Sequence, residues 1–251
     1  MVEDIGIKIA RIAIILAVFP VWELMSRIGL VNPRLLPSSS DTLATLLDLL
    51  QRTSVRSDLA ATAMEVTTAF VLAVPAGCLI GFLIAENRYF ADVVKPLLFF
   101  AFSTPKSIFL PMFILVFGVG FAEKVGFGFF STIFIVVMST ATAVESVKVE
   151  YLTVARSYGA TPTQTALRVY LPSMLPVLLE ALRISMIFNL TGVILAEMYA
   201  SRDGIGHQIA TWGENFQMKQ LLAGVVMVAA IAIAFNESIR WVEARCSHWR
   251  T

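Results

Sequence analysis

Two stretches of this sequence, residues 66–85 and 125–144, each run for 20 residues without a charged side chain. The hydrocarbon core of a bilayer is about 30 Å thick and a helix rises 1.5 Å per residue, so about 20 apolar residues are needed to cross it. Backbone N–H and C=O groups cannot be left without partners in lipid, so such stretches must be helical. Both stretches therefore predict helices that span a membrane.

The composition agrees with a membrane protein and excludes two other classes. Apolar residues make up 57% of the 251 positions and charged residues 15%, with a mean hydropathy of +0.78. Soluble domains are about 45–50% apolar and about 25% charged, and disordered chains carry still less apolar surface. The formal net charge of +1 gives no general attraction to nucleic acid. We therefore expect an integral membrane protein that binds membrane lipids and no nucleic acid.

Six runs are long enough to cross a membrane, so we expect an all-α fold in a single domain over residues 1–251. The spans are predicted at about residues 7–26, 59–85, 96–121, 125–145, 174–199 and 220–241. Pro105 and Pro111 interrupt the third run, and because proline lacks a backbone N–H, this span is expected to be bent or broken. The first run is interpreted as a retained span, since no small-residue cleavage site follows it.

The lysine and arginine residues indicate the orientation. Six spans place both termini on one side of the membrane, and cytoplasmic loops carry an excess of positive charge. If the termini are cytoplasmic, that side holds ten Lys and Arg residues and the outer side seven, Lys124 among them. This count predicts cytoplasmic termini, with residues 146–173 as the longest cytoplasmic loop.

One outer segment has the pattern of a surface helix. Residues 37–41 read Pro-Ser-Ser-Ser-Asp, which is typical of a helix start. Leu43, Leu46, Leu47 and Leu50 follow at helical spacing. The segment therefore predicts an amphipathic helix lying on the membrane surface.

The cytoplasmic loop 146–173 contains two short amphipathic segments separated by Gly159. Glycine permits a tight change of direction, so we expect a helix–Gly–helix elbow. Pro172 and Pro176 are expected to stop the second short helix and start the next span.

The spacing Ala155-x3-Gly159-x9-Val169-x-Leu171-Pro172 resembles the cytoplasmic EAA loop of binding-protein-dependent ABC importer permeases. Thr153 and Val154 stand where that family usually has Glu and its first Ala. The resemblance extends over about residues 35–245, and five more motifs are similar to those of the nitrate/sulfonate/taurine type. These are Leu36-Pro37-Ser38, Thr104-Pro105-Lys106, Phe113-Ile114-Leu115-Val116-Phe117-Gly118-Val119-Gly120, Ala196-Glu197-Met198 and Gly204-Ile205-Gly206.

The resemblance implies a type I ABC importer permease fold in the bacterial inner membrane and a transport subunit rather than an enzyme. Two permease copies would form the pore, two ATP-binding subunits would dock on the loops, and a periplasmic or lipid-anchored binding protein would deliver a small, anionic solute such as a sulfonate, nitrate or carboxylate. ATP and Mg would be held by the partner ATPase and no cofactor by this chain. The implied ATPase-docking residues are Thr153, Ala155, Arg156, Ser157, Tyr158, Gly159, Ala160, Leu171 and Pro172.

Four polar residues within predicted spans are candidates for the substrate path: Lys106, Glu65, Asn189 and Glu197. Charge inside a membrane is expensive and often functional, so Lys106 is either an electropositive pore residue or a lysine that snorkels or pairs with a carboxylate such as Glu65. Glu197 either receives the binding protein or gates the pore, or it pairs with Arg202.

Two rival functions remain open from the residues alone. An ion-gradient-driven secondary transporter or channel would need charged relays across several spans, and a membrane enzyme would need convergent catalytic groups. The sequence contains no G-x-x-x-x-G-K-[ST] phosphate loop, and its two His and two Cys residues form no metal-ligand cluster. Gly77 and Gly81, four residues apart, predict close helix packing.

Overall fold

The structure, a computed structural model, describes residues 17–32 and 34–246. Within this part of the chain every regular element is helical. Half of the predicted first span, 7–26, lies outside the described residues. The helices are α1 (17–27), α2 (Ser39–Gln51), α3 (Thr53–Glu86), α4 (Arg88–Ser103), a 3-10 turn (Lys106–Phe109), α5 (Leu110–Phe117), α6 (Phe121–Glu145), α7 (Val149–Ser157), α8 (Pro162–Thr165), a π turn (Ala166–Tyr170), α9 (Leu171–Ala200), α10 (Ile205–Glu214) and α11 (Met218–Cys246).

Four of the described helices are long and apolar enough to cross a membrane, and the count is five if a bent pair forms one span. The four are Thr53–Glu86, Phe121–Glu145, Pro162–Ala200 and Met218–Trp241. They contain, in chain order, the predicted spans 59–85, 125–145, 174–199 and 220–241. The bent pair, Arg88–Ser103 with Lys106–Phe117, covers most of the third and turns through 82°.

The bend follows from the prolines that flank Lys106. Thr104 precedes Pro105 and is extended, with φ −72° and ψ 132°, as expected for a residue before proline. The chain then makes the 3-10 turn, and α5 starts with Pro111 in its first turn, where no intrahelical N–H bond is lost. The third run is therefore two short helices at an angle.

Close packing of α3 against α6 forms the centre of the bundle. A Cβ atom added to Gly81 would lie 2.5 Å from the backbone oxygen of Val137, and one added to Gly77 would lie 2.7 Å from Cβ of Val136. Both glycines therefore allow the two backbones to approach, as the sequence predicted.

Helix α2 begins where expected, because the Ser38 side chain accepts a hydrogen bond from the Asp41 amide. Leu49 is fully buried against residues of α3, α10 and α11, while Leu43 and Leu47 are exposed. Glu23 of α1 accepts hydrogen bonds from the Ser40 amide at 3.0 Å and from neighbouring hydroxyls. Helix α2 is thus tied to α1 at its start and to the bundle along one side.

The elbow in the loop 146–173 differs from the expectation at its second half. Pro172 and Pro176 do not stop the helix, since a continuous helix runs from Pro162 to Ala200. The π turn ends just before Pro172, and the Leu171 amide bonds to the Ala166 carbonyl five residues back. A proline ring would collide with the carbonyl four residues earlier in a regular helix, and this widened turn accommodates it.

Candidate functional site

The elbow between α7 and α8 is held in shape by backbone hydrogen bonds around Gly159. The Gly159 amide donates to the Arg156 carbonyl at 2.9 Å, and the Ala160 amide donates to the Ala155 carbonyl at 3.0 Å. This paired pattern is a Schellman motif, which needs a left-handed residue, and Gly159 supplies it with φ +70°. A capping box between Thr161 and Gln164 then starts α8.

The elbow presents apolar side chains that nothing in the described chain covers. Val154, Tyr158 and Leu167 are exposed, and Tyr158 retains 88% of its accessible surface. On the opposite side, Leu152 packs into a cluster with residues of α6 and α9. The elbow is therefore anchored on one face and unpartnered on the other.

The predicted docking residues all lie on this elbow or at the start of α9. Thr153, Arg156, Ser157, Tyr158, Gly159 and Leu171 are exposed, and Ala155, Ala160 and Pro172 are half-buried. The Thr153 hydroxyl donates to the Val149 carbonyl at 3.0 Å. An ionised glutamate has no proton to donate and could not make this bond. Most of the set is therefore accessible, as a docking surface requires.

Lys106 lies at the bend between α4 and α5, beside a cavity of about 320 Å³. Its ammonium donates to the Phe102 carbonyl at 3.3 Å and sits 4.5 Å from the centre of the Phe102 ring and 5.5 Å from that of Phe188. Within the described residues it forms no ion pair with a carboxylate. The alternative in which Lys106 pairs with Glu65 is therefore wrong, because Glu65 pairs with Lys124.

Lys124, in the first turn of α6, is fully buried. Its ammonium lies 2.5 Å from a Glu65 carboxylate oxygen and 2.5 Å from one of Asp203. Three parts of the chain, α3, α6 and the segment 201–204, are joined at this point. The hydrogen bond from Lys124 lowers the pKa of Asp203 below its usual value.

Side chains of α3 and α9 also bind the start of α10. Glu197 accepts hydrogen bonds from the Thr62 hydroxyl at 2.5 Å and the Gly206 amide at 2.7 Å, in place of the predicted pair with Arg202. Asp58 accepts from the Gly204 amide at 3.1 Å and from the Gln208 side chain at 2.7 Å. These bonds satisfy backbone N–H groups that the first turn of a helix leaves without intrahelical partners.

Three of the four candidate path residues, Glu65, Asn189 and Glu197, are thus buried between helices of one chain. The Asn189 amide donates to the Val66 carbonyl at 2.8 Å. Lys106 borders the cavity at the bend. No group of three or more His, Cys, Asp or Glu residues suited to a metal ion occurs in the described chain.

Sequence reasoning missed Asp58, Thr62 and Lys124 as members of the buried network. A signal for the first two was present, since Asp58, Thr62 and Glu65 recur four and three residues apart and share a helix face. Polar side chains in such a row within an apolar helix indicate a polar partner. No local pattern marked Lys124, whose partners lie 59 and 79 positions away in the sequence.

Comparisons with known proteins agree with the importer permease resemblance. The family model for "Binding-protein-dependent transport system inner membrane component" matches residues 73–248. The taurine transport system permease protein TauC of Escherichia coli (strain K12) is 26% identical, over 98% of this chain and 90% of TauC. The putative aliphatic sulfonates transport permease protein SsuC of Bacillus subtilis (strain 168) is 24% identical, over 93% of this chain and 84% of SsuC.

A solved structure shares the fold. A chain of the inward-facing MetNI methionine ABC transporter superposes with a TM-score of 0.58 at 22% identity, covering 79% of this chain and 98% of that chain. The all-helical fold and the resemblance to the nitrate/sulfonate/taurine type are thereby confirmed, and an ion-gradient-driven carrier or a membrane enzyme is disfavoured. Since the family match covers more than half of its length, this chain belongs to the binding-protein-dependent transport system inner membrane components, which are the multi-pass permease subunits of ATP-driven ABC importers and not enzymes.

Proposed function

We propose that this chain pairs with a second copy to form the pore of an inner-membrane importer for a small organic anion, with its elbow as the ATPase-docking surface. Two ATP-binding subunits would grip the two elbows and hold ATP and Mg, and a periplasmic or lipid-anchored binding protein would deliver the solute. Closure of the ATPases would move the elbows and switch the pore between its inward and outward openings.

The exposed face of the elbow is the observation that carries this proposal. A contiguous exposed apolar surface marks an interaction site, and on a loop that the proposal places outside the membrane that partner is a protein. Tyr158 is the most exposed side chain on that face and has a rigid ring, a type enriched at interaction hot spots. The Schellman motif holds it in a fixed position, so a push on the elbow would be transmitted to α9 through the continuous helix from Pro162.

The orientation follows from the same assignment. If the elbow is cytoplasmic, α2 and the start of α10 lie at the outer end. The predicted first span, at about residues 7–26, then places the N-terminus in the cytoplasm. The relatives named for taurine and aliphatic sulfonates support an anionic solute. Identification of the small molecule that co-purifies with the binding protein would name it.

The test compares two tyrosines at opposite ends of the bundle. Tyr158→Asp places a charge on the elbow, and Tyr199→Asp places one on another exposed tyrosine at the far end of α9. Tyr158→Asp should remove the ATPase subunits from the permease during affinity purification and abolish uptake. Tyr199→Asp should retain the ATPase. If Tyr158→Asp retains the ATPase and still couples ATP hydrolysis to uptake, the docking assignment is wrong.

A further inference from the structure

We infer that the cavity at the bend beside Lys106 is a subsite in the translocation path that binds the oxyanion headgroup of a monoanionic solute. This inference rests on the proposed function, because it assumes that the chain lines an importer pore. It adds which side chains would contact the solute and which charge they would select.

The ammonium of Lys106 has unused binding capacity. It is half-buried at the break between two apolar helices, and the one hydrogen bond that it makes to residues 17–32 and 34–246, to the Phe102 carbonyl, uses one of its three donors. The rings of Phe102 and Phe188 attract the cation without neutralising it. An unpaired cation at membrane depth is costly, and a bound anion would offset that cost.

The walls of the cavity add donors and contain no competing acid. No Asp or Glu is among the residues that line it. The hydroxyls of Ser107 and Ser131 make no hydrogen bond within the described residues and are free to donate to a ligand. The hydroxyl of Thr191, on the same wall, donates instead to the Ile187 carbonyl at 2.8 Å.

The remaining walls are apolar and the size is suitable. Phe127, Phe188 and Leu195 could contact a short alkyl chain attached to the headgroup. About 320 Å³ lies in the lower range of small-molecule pockets, which is enough for a small organic acid. A neighbouring cavity shares Phe102 but is lined by Glu180, whose charge would repel an anion. The electropositive position is therefore the one at Lys106.

The experiment uses the complete importer, with its ATPase and binding protein, in proteoliposomes and measures uptake of labelled ethanesulfonate, butanesulfonate, nitrate and acetate. Lys106→Met, which removes the charge at similar length, should reduce uptake of the transported anion about tenfold or more, as expected for loss of a charge-assisted hydrogen bond. Lys106→Arg keeps the charge and should retain most of the uptake. Lys219→Met removes a lysine from an exposed pair and is the control for net charge.

A second pair of variants does not depend on the lysine. Ser131→Ala removes a free donor and should lower uptake by about threefold. Thr67→Val, outside the cavity, removes a hydroxyl that donates to the Ala63 carbonyl at 2.7 Å and should leave uptake unchanged. Recovery of the ATPase on purification and ATP hydrolysis stimulated by the binding protein check that each complex assembles.

The outcomes separate the two proposals. Two results would overturn the subsite while leaving the importer function intact, provided that the wild type takes up one of the anions. In the first, Lys106→Met is as active as the wild type. In the second, Lys106→Arg is as defective as Lys106→Met. If the wild-type complex moves none of the four anions, the proposed anionic solute fails and the subsite fails with it.

Discussion

Replacing Lys124 by methionine is expected to destabilise the protein far more than loss of an exposed ion pair. The Lys124 side chain has no exposed surface, and its ammonium lies 2.5 Å from oxygens of both Glu65 and Asp203. The Glu65 side chain is 2% exposed and that of Asp203 is 62% exposed, so only Asp203 can regain water when the ammonium is removed. Removing one partner of a buried pair costs about 3–5 kcal/mol, because the other charge stays buried without compensation.

Thermal unfolding of the purified permease in detergent micelles measures this cost. For a chain of this length, 1 kcal/mol shifts the midpoint by about 2–4 °C, so Lys124→Met should lower it by roughly 6 °C or more. Lys219→Met is the matched control, since it removes the same charge from a pair with Asp41 in which both side chains are 52% exposed. Exposed pairs contribute about 0–1 kcal/mol, so this midpoint should hardly move.

A double variant tests the reason for the effect. Lys124→Met combined with Glu65→Met removes both buried charges, and a buried pair replaced by apolar side chains is often no less stable. Most of the lost stability should therefore return. The reasoning would be refuted by a Lys124→Met midpoint equal to that of the control, or by a double variant as unstable as the single one.

Three further predictions follow from other sites. Gly81→Ala should destabilise the bundle by about 1–3 kcal/mol, because its Cβ would collide with the backbone of α6. Gly126→Ala is the control, since its Cβ would lie 3.4 Å from the nearest Phe113 atom, and the melting midpoints of the two variants compare them. Gly159→Ala should weaken coupling of ATP hydrolysis to uptake, since a left-handed conformation costs about 1–2 kcal/mol outside glycine, and Gly159→Asn should be milder. Because Lys124 lowers the pKa of Asp203, this pair stabilises the fold above the ordinary aspartate pKa, and the stability is lost as the pH falls through the lowered pKa. In Asp203→Asn the melting midpoint should therefore fall less steeply at acidic pH than in the wild type.

Local features of the fold were predictable from the sequence. Apolar runs marked the four long helices, and prolines around Lys106 marked the bend, because both signals depend on neighbouring residues only. The start of α2 at Ser39 followed from the same kind of signal. The passage of the helix through Pro172 was not predictable, since a π turn is a shift in backbone pairing that no residue type specifies.

In the candidate site, too, local features were predictable from the sequence and contacts between distant residues were not. The elbow around Gly159 was predictable because the Schellman motif is a short-range pattern. For Glu65 and Glu197 the sequence left open a pair with Lys106 and a pair with Arg202, and the structure contradicts both. Their actual partners, Lys124 for Glu65 and Thr62 and Gly206 for Glu197, depend on how α3, α6 and α9 pack, which residue spacing alone does not determine.

The polar bonds that hold residues 201–206 have a mechanical consequence. Asp58 and Glu197 clamp the first amides of α10, and Lys124 fastens Asp203 to α6. The first turn of α10 and the segment before it are therefore bonded directly to three long helices, α3, α6 and α9. A partner that binds at that end of the molecule is therefore connected by hydrogen bonds and an ion pair to α3, α6 and α9.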